Sequence, residues 1–248
     1  MKIPSILEML EAGVHFGHQV SRWHPKMKDY IYTQRNGVHV IDLEKTQKKM
    51  EETLKEVEKL AAEGKIILFS TTKPQARDFV KEAAIDCGMP YLVERWIGGL
   101  LTNYSEIKKL IKNYNELKEQ QKSGELEKYT KKEQLDIARK IEAMDKSLIG
   151  LSDLKKIPDA VFLPSVQNEK TAVKEANKTG VQTIGICDTN SNPQKTDLFI
   201  PANDDAVKSI KMMVGLVADA IKRGRAEFEK NMQNKDSAKN NKKENNNK

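Results

Sequence analysis

Ile66-Ile-Leu-Phe69 and Ala160-Val-Phe-Leu163 are unbroken apolar runs, too short for a helix and too uniformly apolar for a strand with one wet face. Runs of this kind suit strands buried on both sides, as in a parallel sheet covered by helices. Further short strands are predicted at 91–93, 181–186 and 198–200. Helical repeats lie between them. Over 44–63, Met50, Leu54, Val57 and Ala61 recur at spacings of four, three and four, with Lys and Glu on the other faces and Gly64 as the stop. Pro74 opens a second helix that aligns Ala76, Phe79, Val80, Ala83 and Cys87 before Gly88. A third covers 169–178, with Ala172, Val173 and Ala176 inward. A long last helix is capped by Asn203 or Asp204 and reaches about residue 229, with Ile210, Met213, Val214, Val217 and Ile221 on its stripe.

Strand and helix alternate, so the fold class is α/β: a parallel β-sheet flanked by helices, doubly wound and flavodoxin/Rossmann-like. The pattern breaks over 104–149, where no strand signal occurs. One helix there carries Ile107, Leu110, Ile111, Tyr114 and Leu117, and a second carries Leu135, Ala138, Ile141, Met144 and Leu148. Two such stripes around Ser123-Gly124 predict an inserted antiparallel coiled-coil helical hairpin. The α/β domain is then 38–103 with 150–229. Residues 1–37 form a basic, aromatic arm in which 3–10 can make a short helix with Ile6, Met9 and Leu10 on one face. The Lys- and Asn-rich 230–248 form a tail expected to be disordered, since only Met232 and Ala238 are apolar there.

Lys and Arg exceed Asp and Glu by 43 to 36, which permits an acidic partner without demanding one. The chain lacks a long apolar run and an N-terminal signal-type stretch, which reads as a cytoplasmic protein without membrane. There, Cys87 and Cys187 are expected to be reduced core residues. Chemistry is hard to place. Ser70-Thr-Thr-Lys73, Gly98-Gly99 and Asp188-Thr-Asn190 are candidate loops at strand ends, yet none matches a phosphate-binding fingerprint. Lys73 reads as a solvated side chain behind a Pro-started helix, Asp188 as a turn-fixing carboxylate, and Asp204-Asp205 as helix-start residues. His15 and His18 have an H-x-x-H spacing, but no third ligand is near in sequence, so no metal, cofactor or catalytic residue is assigned.

The arm carries the stronger signal. Arg22, Trp23, His24, Lys26, Lys28, Tyr30, Tyr32 and Arg35 gather cations and rings within 14 residues. Cations neutralise phosphates and planar groups stack on unpaired bases, so this mixture suits RNA. The same composition also fits aromatics that anchor the arm while its cations stay wet. Arg95-Trp96 repeats the pair. The candidate RNA-binding residues are Arg22, Trp23, His24, Lys26, Lys28, Arg35, Asn36, Arg95, Trp96 and Asn103.

Several blocks in order carry a resemblance: Gly13-Val-His-Phe-Gly-His18, Arg22-Trp23, Pro25-Lys-Met27, Arg35-Asn-Gly37, Ile41-Asp-Leu43, Lys45-Thr46, Cys87-Gly-Met-Pro-Tyr91, Glu94-Arg-Trp96, Gly98-Gly99, Leu101-Thr-Asn103, Lys132-Glu133, Pro158-Asp-Ala-Val-Phe162, Asp188-Thr-Asn190, Pro193 and Asn203-Asp-Asp-Ala206. Over roughly residues 3–225 the chain resembles the S-two family of bacterial small-subunit (30S) ribosomal proteins. The resemblance implies a parallel α/β sheet with a protruding helical hairpin, and a non-enzymatic part in the small subunit. It implies 16S ribosomal RNA and neighbouring ribosomal proteins as partners, including the large messenger-binding S-one protein where a species has it, with no small-molecule substrate. His24, Pro164-Ser165-Val166, Ser191-Asn192 and Pro201-Ala202 depart from the usual family residues. The alternative from the fold alone is a doubly wound enzyme that binds a nucleotide or phosphate ester.

Overall fold

The computed structural model describes residues 3–245. Helix α1 (Ile6–Glu11) starts in a capping box, Ser5 accepting from the Glu8 amide while the Glu8 carboxylate accepts from the Ser5 amide. Only Met9 of its expected apolar face is buried; Ile6 and Leu10 are exposed, because α1 lies against the edge of the domain and touches it along one line. Strands β1 (Phe16–Gln19), β2 (Ile31–Arg35) and β3 (Val38–Ile41) then form an antiparallel sheet in the order β1-β3-β2. Asn36 and Gly37, both at positive φ (52° and 75°), make the two-residue turn between β2 and β3. The arm is therefore a small sheet, not an irregular ribbon. Val38–Ile41, placed with the α/β domain in the sequence reading, is its central strand.

Asp42 caps α2 (Leu43–Ala62) by accepting from the amides of Glu44 and Lys45. Strand β4 (Ile67–Ser70), α3 (Arg77–Asp86) and β5 (Tyr91–Leu92) follow. After the hairpin come β6 (Ala160–Leu163), α6 (Lys170–Thr179), β7 (Gln182–Cys187), β8 (Leu198–Pro201) and α7 (Val207–Asn245), with α4 (Tyr104–Ser123) and α5 (Lys131–Leu148) forming the hairpin. The five later strands make one parallel sheet, in the order β5-β4-β6-β7-β8. Chain order reverses between β4 and β6, and their C-terminal ends open a crevice where such folds place ligands.

The unbroken apolar runs are explained by period-two burial on two covered faces. Ile67, Phe69, Ala160, Phe162, Ile184, Ile186 and Ile200 pack under α2, α3 and α7. Leu68, Leu92, Val161, Leu163 and Cys187 pack under α6, the base of the hairpin and Met27 of the arm. The hairpin seam differs from the expected stripe. Leu110, Leu135 and Ala138 are exposed, and Ile137 lies inward with Ile141, Met144 and Leu148. Ile137, and not the expected Leu135, keeps the four-three-four spacing to Leu148. At the base, Ile107, Ile111, Tyr114 and Leu148 belong to the domain core, so the insertion is rooted in it. Helix α7 continues past residue 229 to Asn245, into the stretch expected to be disordered; no Gly or Pro interrupts the chain after Gly224. The tail's last residues, 246–248, lie outside the described ones.

Candidate nucleic-acid interface

The arm sheet is fastened across the C-terminal ends of β7 and β8. The His24 amide donates to the Thr189 carbonyl (2.7 Å), the His18 amide to Thr189 Oγ1 (2.8 Å), and Asn203 bonds the carbonyls of Gly13 and Val14 through its side chain and its amide. Gly17 permits this seating: a Cβ there would meet Thr189 Cγ2 at 2.6 Å and the His39 carbonyl at 3.0 Å. Met27, fully buried, pins the 3-10 turn Pro25–Tyr30.

On this base Arg22, Lys26, Lys28, Arg35 and Asn36 are all exposed, and Trp23 and His24 are half-buried. The rings divide between the two roles open to them. Trp23 packs on His39 (centroids 5.4 Å, 48°) and Tyr30 sets its edge to Phe199 (5.4 Å, 89°), so both anchor the sheet. Tyr32 is 76 % exposed and free to stack. Neither nitrogen of the buried His39 has a hydrogen-bond partner among the described residues. His24 Nδ1 accepts from the Lys26 amide and caps the 3-10 turn. Asn36 serves the turn.

The second candidate segment is organised by a residue that no motif or spacing singled out. Glu175 Oε1 accepts from Trp96 Nε1 (3.0 Å) and the Gly99 amide (2.9 Å), and Oε2 from the Leu101 amide (3.1 Å) and from Thr102, amide and hydroxyl. Burial pushes this carboxyl up, but the Gly99, Trp96, Leu101 and Thr102 donors outweigh it and hold the group below its ordinary value. Trp96 is buried in the core beneath the loop, so it supports the loop and offers no open face for stacking; Arg95 and Asn103 are exposed. Asn103 begins α4 and takes a hydrogen bond from the Ser105 hydroxyl.

A third cluster lies where the arm meets the strand ends. His18 Nδ1 is 3.1 Å from Asp188 and Nε2 is 3.2 Å from Asp205. The hydrogen bond to Asp188 pulls the His18 pKa up against the effect of burial. Lys73, read from sequence as solvated, is 6 % exposed: Nζ donates to the Asp204 carbonyl and Asp205 Oδ1, and lies 2.9 Å from Asp204 Oδ1 as an ion pair off the hydrogen-bond line. Burial pushes Lys73 down, but Asp204 and Asp205 prevail and raise it. Burial, then the nearby Asp188, pushes Asp204 up. Asn203 Oδ1 accepts from the amides of Asp205 and Ala206 in the turn before α7, so neither Asn203 nor Asp204 is the cap of a helix that begins at Val207. Ligand atoms of His18, Asp188, Asp204 and Asp205 lie within 4.8 Å of one another, a donor set able to hold a divalent cation. His15 stands apart with its ring on Phe16 (4.0 Å), so the pair that the H-x-x-H spacing suggested is not brought together. Proximity across 170 residues of chain formed this cluster, and no local spacing could show it.

Elsewhere, burial pushes the Cys87 thiol up to about 11 and raises that of Cys187, which makes both poor nucleophiles. Among the described residues no helix is long and apolar enough to cross a membrane. A doubly wound sheet with a coiled-coil insertion and a basic sheet laid over its strand ends defines a class of scaffold that presents cations on a rigid surface. The profile of ribosomal protein S2 matches residues 9–224, and the chain belongs to that family. It is a structural family of the small ribosomal subunit, located in the cytoplasm, and not an enzymatic one.

Proposed function

We propose that the chain binds 16S ribosomal RNA through its N-terminal sheet and helps to assemble the small subunit beside neighbouring ribosomal proteins, the S-one protein among them where a species has it. The observation that carries this reading is the arm: four exposed cations, Arg22, Lys26 and Lys28 in its 3-10 turns and Arg35 at the end of β2, stand on a segment bolted to the domain through Gly13, Val14, His18 and His24. Such a surface meets phosphates without paying an ordering cost on binding. Nothing favours the doubly wound enzyme, since Lys73, the cation nearest a strand end, is neutralised by its own carboxylates.

Neutralising Arg22, Lys26 and Lys28 together tests the proposal. RNA association weakens, and the slope of log K against log salt flattens by up to about three units. The melting temperature stays nearly constant because the three groups are exposed. Unchanged affinity and slope would remove the arm from the RNA-facing surface.

A further inference from the structure

The crevice between β4 and β6 has a cavity of about 300 Å³, lined by Thr72, Arg95, Trp96, Gly98, Asn168, Glu169 and Thr171. That is the small end of ligand-pocket sizes, about 300–1,000 Å³, and suits one nucleobase better than a dinucleotide. Its floor is Glu169, 2 % exposed. Oε1 of that carboxylate is engaged by the Thr72 amide (2.5 Å) and hydroxyl (2.7 Å); Oε2 has no hydrogen-bond partner among the described residues. Oε2 is not fully enclosed and opens onto the cavity, where a donor can reach it. Burial raises the carboxyl above its ordinary value against the opposing pull of the Thr72 donors and of Lys73.

The rim is equally specific. Glu175 fixes the Trp96–Thr102 backbone from below through both of its oxygens. Arg95 stands exposed at the mouth with no ion pair among the described residues. A guanidinium plane at the mouth can cover a flat ring or meet a phosphate. A phosphate deep in the crevice is excluded by the Glu169 charge. A base with an exocyclic amino group satisfies that charge, as a carboxylate accepts from the amino group of cytosine.

We propose that this crevice receives one unpaired RNA base bearing an amino group, its N–H donating to Glu169 Oε2 and its ring or phosphate meeting Arg95. The inference rests on the RNA-binding reading above and names one nucleotide site within it.

The test uses the full chain at pH 8, with short oligo(A), oligo(C) and oligo(U) as probes. The readout is the Trp96 indole N–H signal in NMR spectra, assigned by its presence in Trp23→Phe. Oligo(A) and oligo(C) are expected to shift that signal and to bind about five-fold tighter than oligo(U), the worth of one hydrogen bond. Glu169→Gln removes the preference, because an amide that accepts from Thr72 must turn its NH₂ to the base. Arg95→Ala, an exposed change that leaves the core intact, weakens all three probes alike. Equal affinity for oligo(U) in the unmodified chain would overturn the proposal, and so would AMP binding as tightly as oligo(A), which would mark a mononucleotide pocket. If the oligomers bind with the arm's salt dependence while the Trp96 signal stays still, the crevice fails and the RNA reading stands. If none binds, both fail.

Discussion

Replacing Glu175 by Ala removes the acceptor for Trp96 Nε1 and for the amides of Gly99, Leu101 and Thr102 at a stroke. Gly99 and Thr102 lie near solvent and recover a water partner at small cost. Trp96 and Leu101 are 7 % and 2 % exposed, and their donors are left without one. An unsatisfied buried donor costs about 1–3 kcal/mol, so the loss for the two is about 2–6 kcal/mol, with the lower half favoured because Glu175 itself is only half-buried. For a chain of this length that corresponds to a fall in Tm of about 5–15 °C. Glu175→Gln retains one oxygen, hence one pair of donors, and turns an NH₂ toward the other pair; its loss falls between wild type and Ala. Thermal unfolding by circular dichroism gives the first number, and hydrogen exchange at the amides of residues 99, 101 and 102 gives the location. A Tm within 2 °C of wild type for the Ala variant, with exchange at those amides unchanged, would refute the view that Glu175 organises the loop.

The same carboxylate has a pH signature. Its pKa is held below the ordinary 4.5, so its contribution is complete above that value and is lost as pH falls through the folded-state value; the Glu175→Gln variant should converge with wild type in acid and diverge near neutrality. Gly17→Ala forces Thr189 or β3 to move and should cost about 1–3 kcal/mol, with faster exchange in the arm sheet and weaker RNA association than in a variant of exposed Gly98. Lys73→Met leaves Asp204 buried beside Asp188 without its own cation and should destabilise by about 3–5 kcal/mol in urea unfolding; a neutral result would mean that the cluster is satisfied by another cation. Replacing residues 119–138 by a Gly-Ser linker should preserve cooperative unfolding, whereas excising 104–149 removes Ile107, Ile111, Tyr114 and Leu148 from the core and should abolish it.

What the sequence made legible follows from the range over which each signal acts. Burial on both faces of a strand shows in four consecutive residues, so Ile67–Ser70 and Ala160–Leu163 were readable within one position. The stripe of α2 was readable because Met50, Leu54, Val57 and Ala61 all face one neighbour, α7. The start of the hairpin seam on α5 was misread, with Leu135 and Ala138 in place of Ile137, since Leu135 and Ile137 are both apolar and the deciding contact comes from the other helix. Strand β1 was hidden because half of Phe16-Gly-His-Gln19 is polar and its pairing to β3 depends on chain 20 residues away. The same limit explains the site. Exposed cations in the arm announce themselves by composition, since nothing need come to them but an RNA. Glu175 and Glu169 are two glutamates among many until the fold brings the first under Gly99 and the second against Thr72. The residues that shape the candidate surface are thus those whose partners lie some 75 to 100 positions away, while the cations that announce it, Arg22, Lys26, Lys28 and Arg35, have no side-chain partner among the described residues.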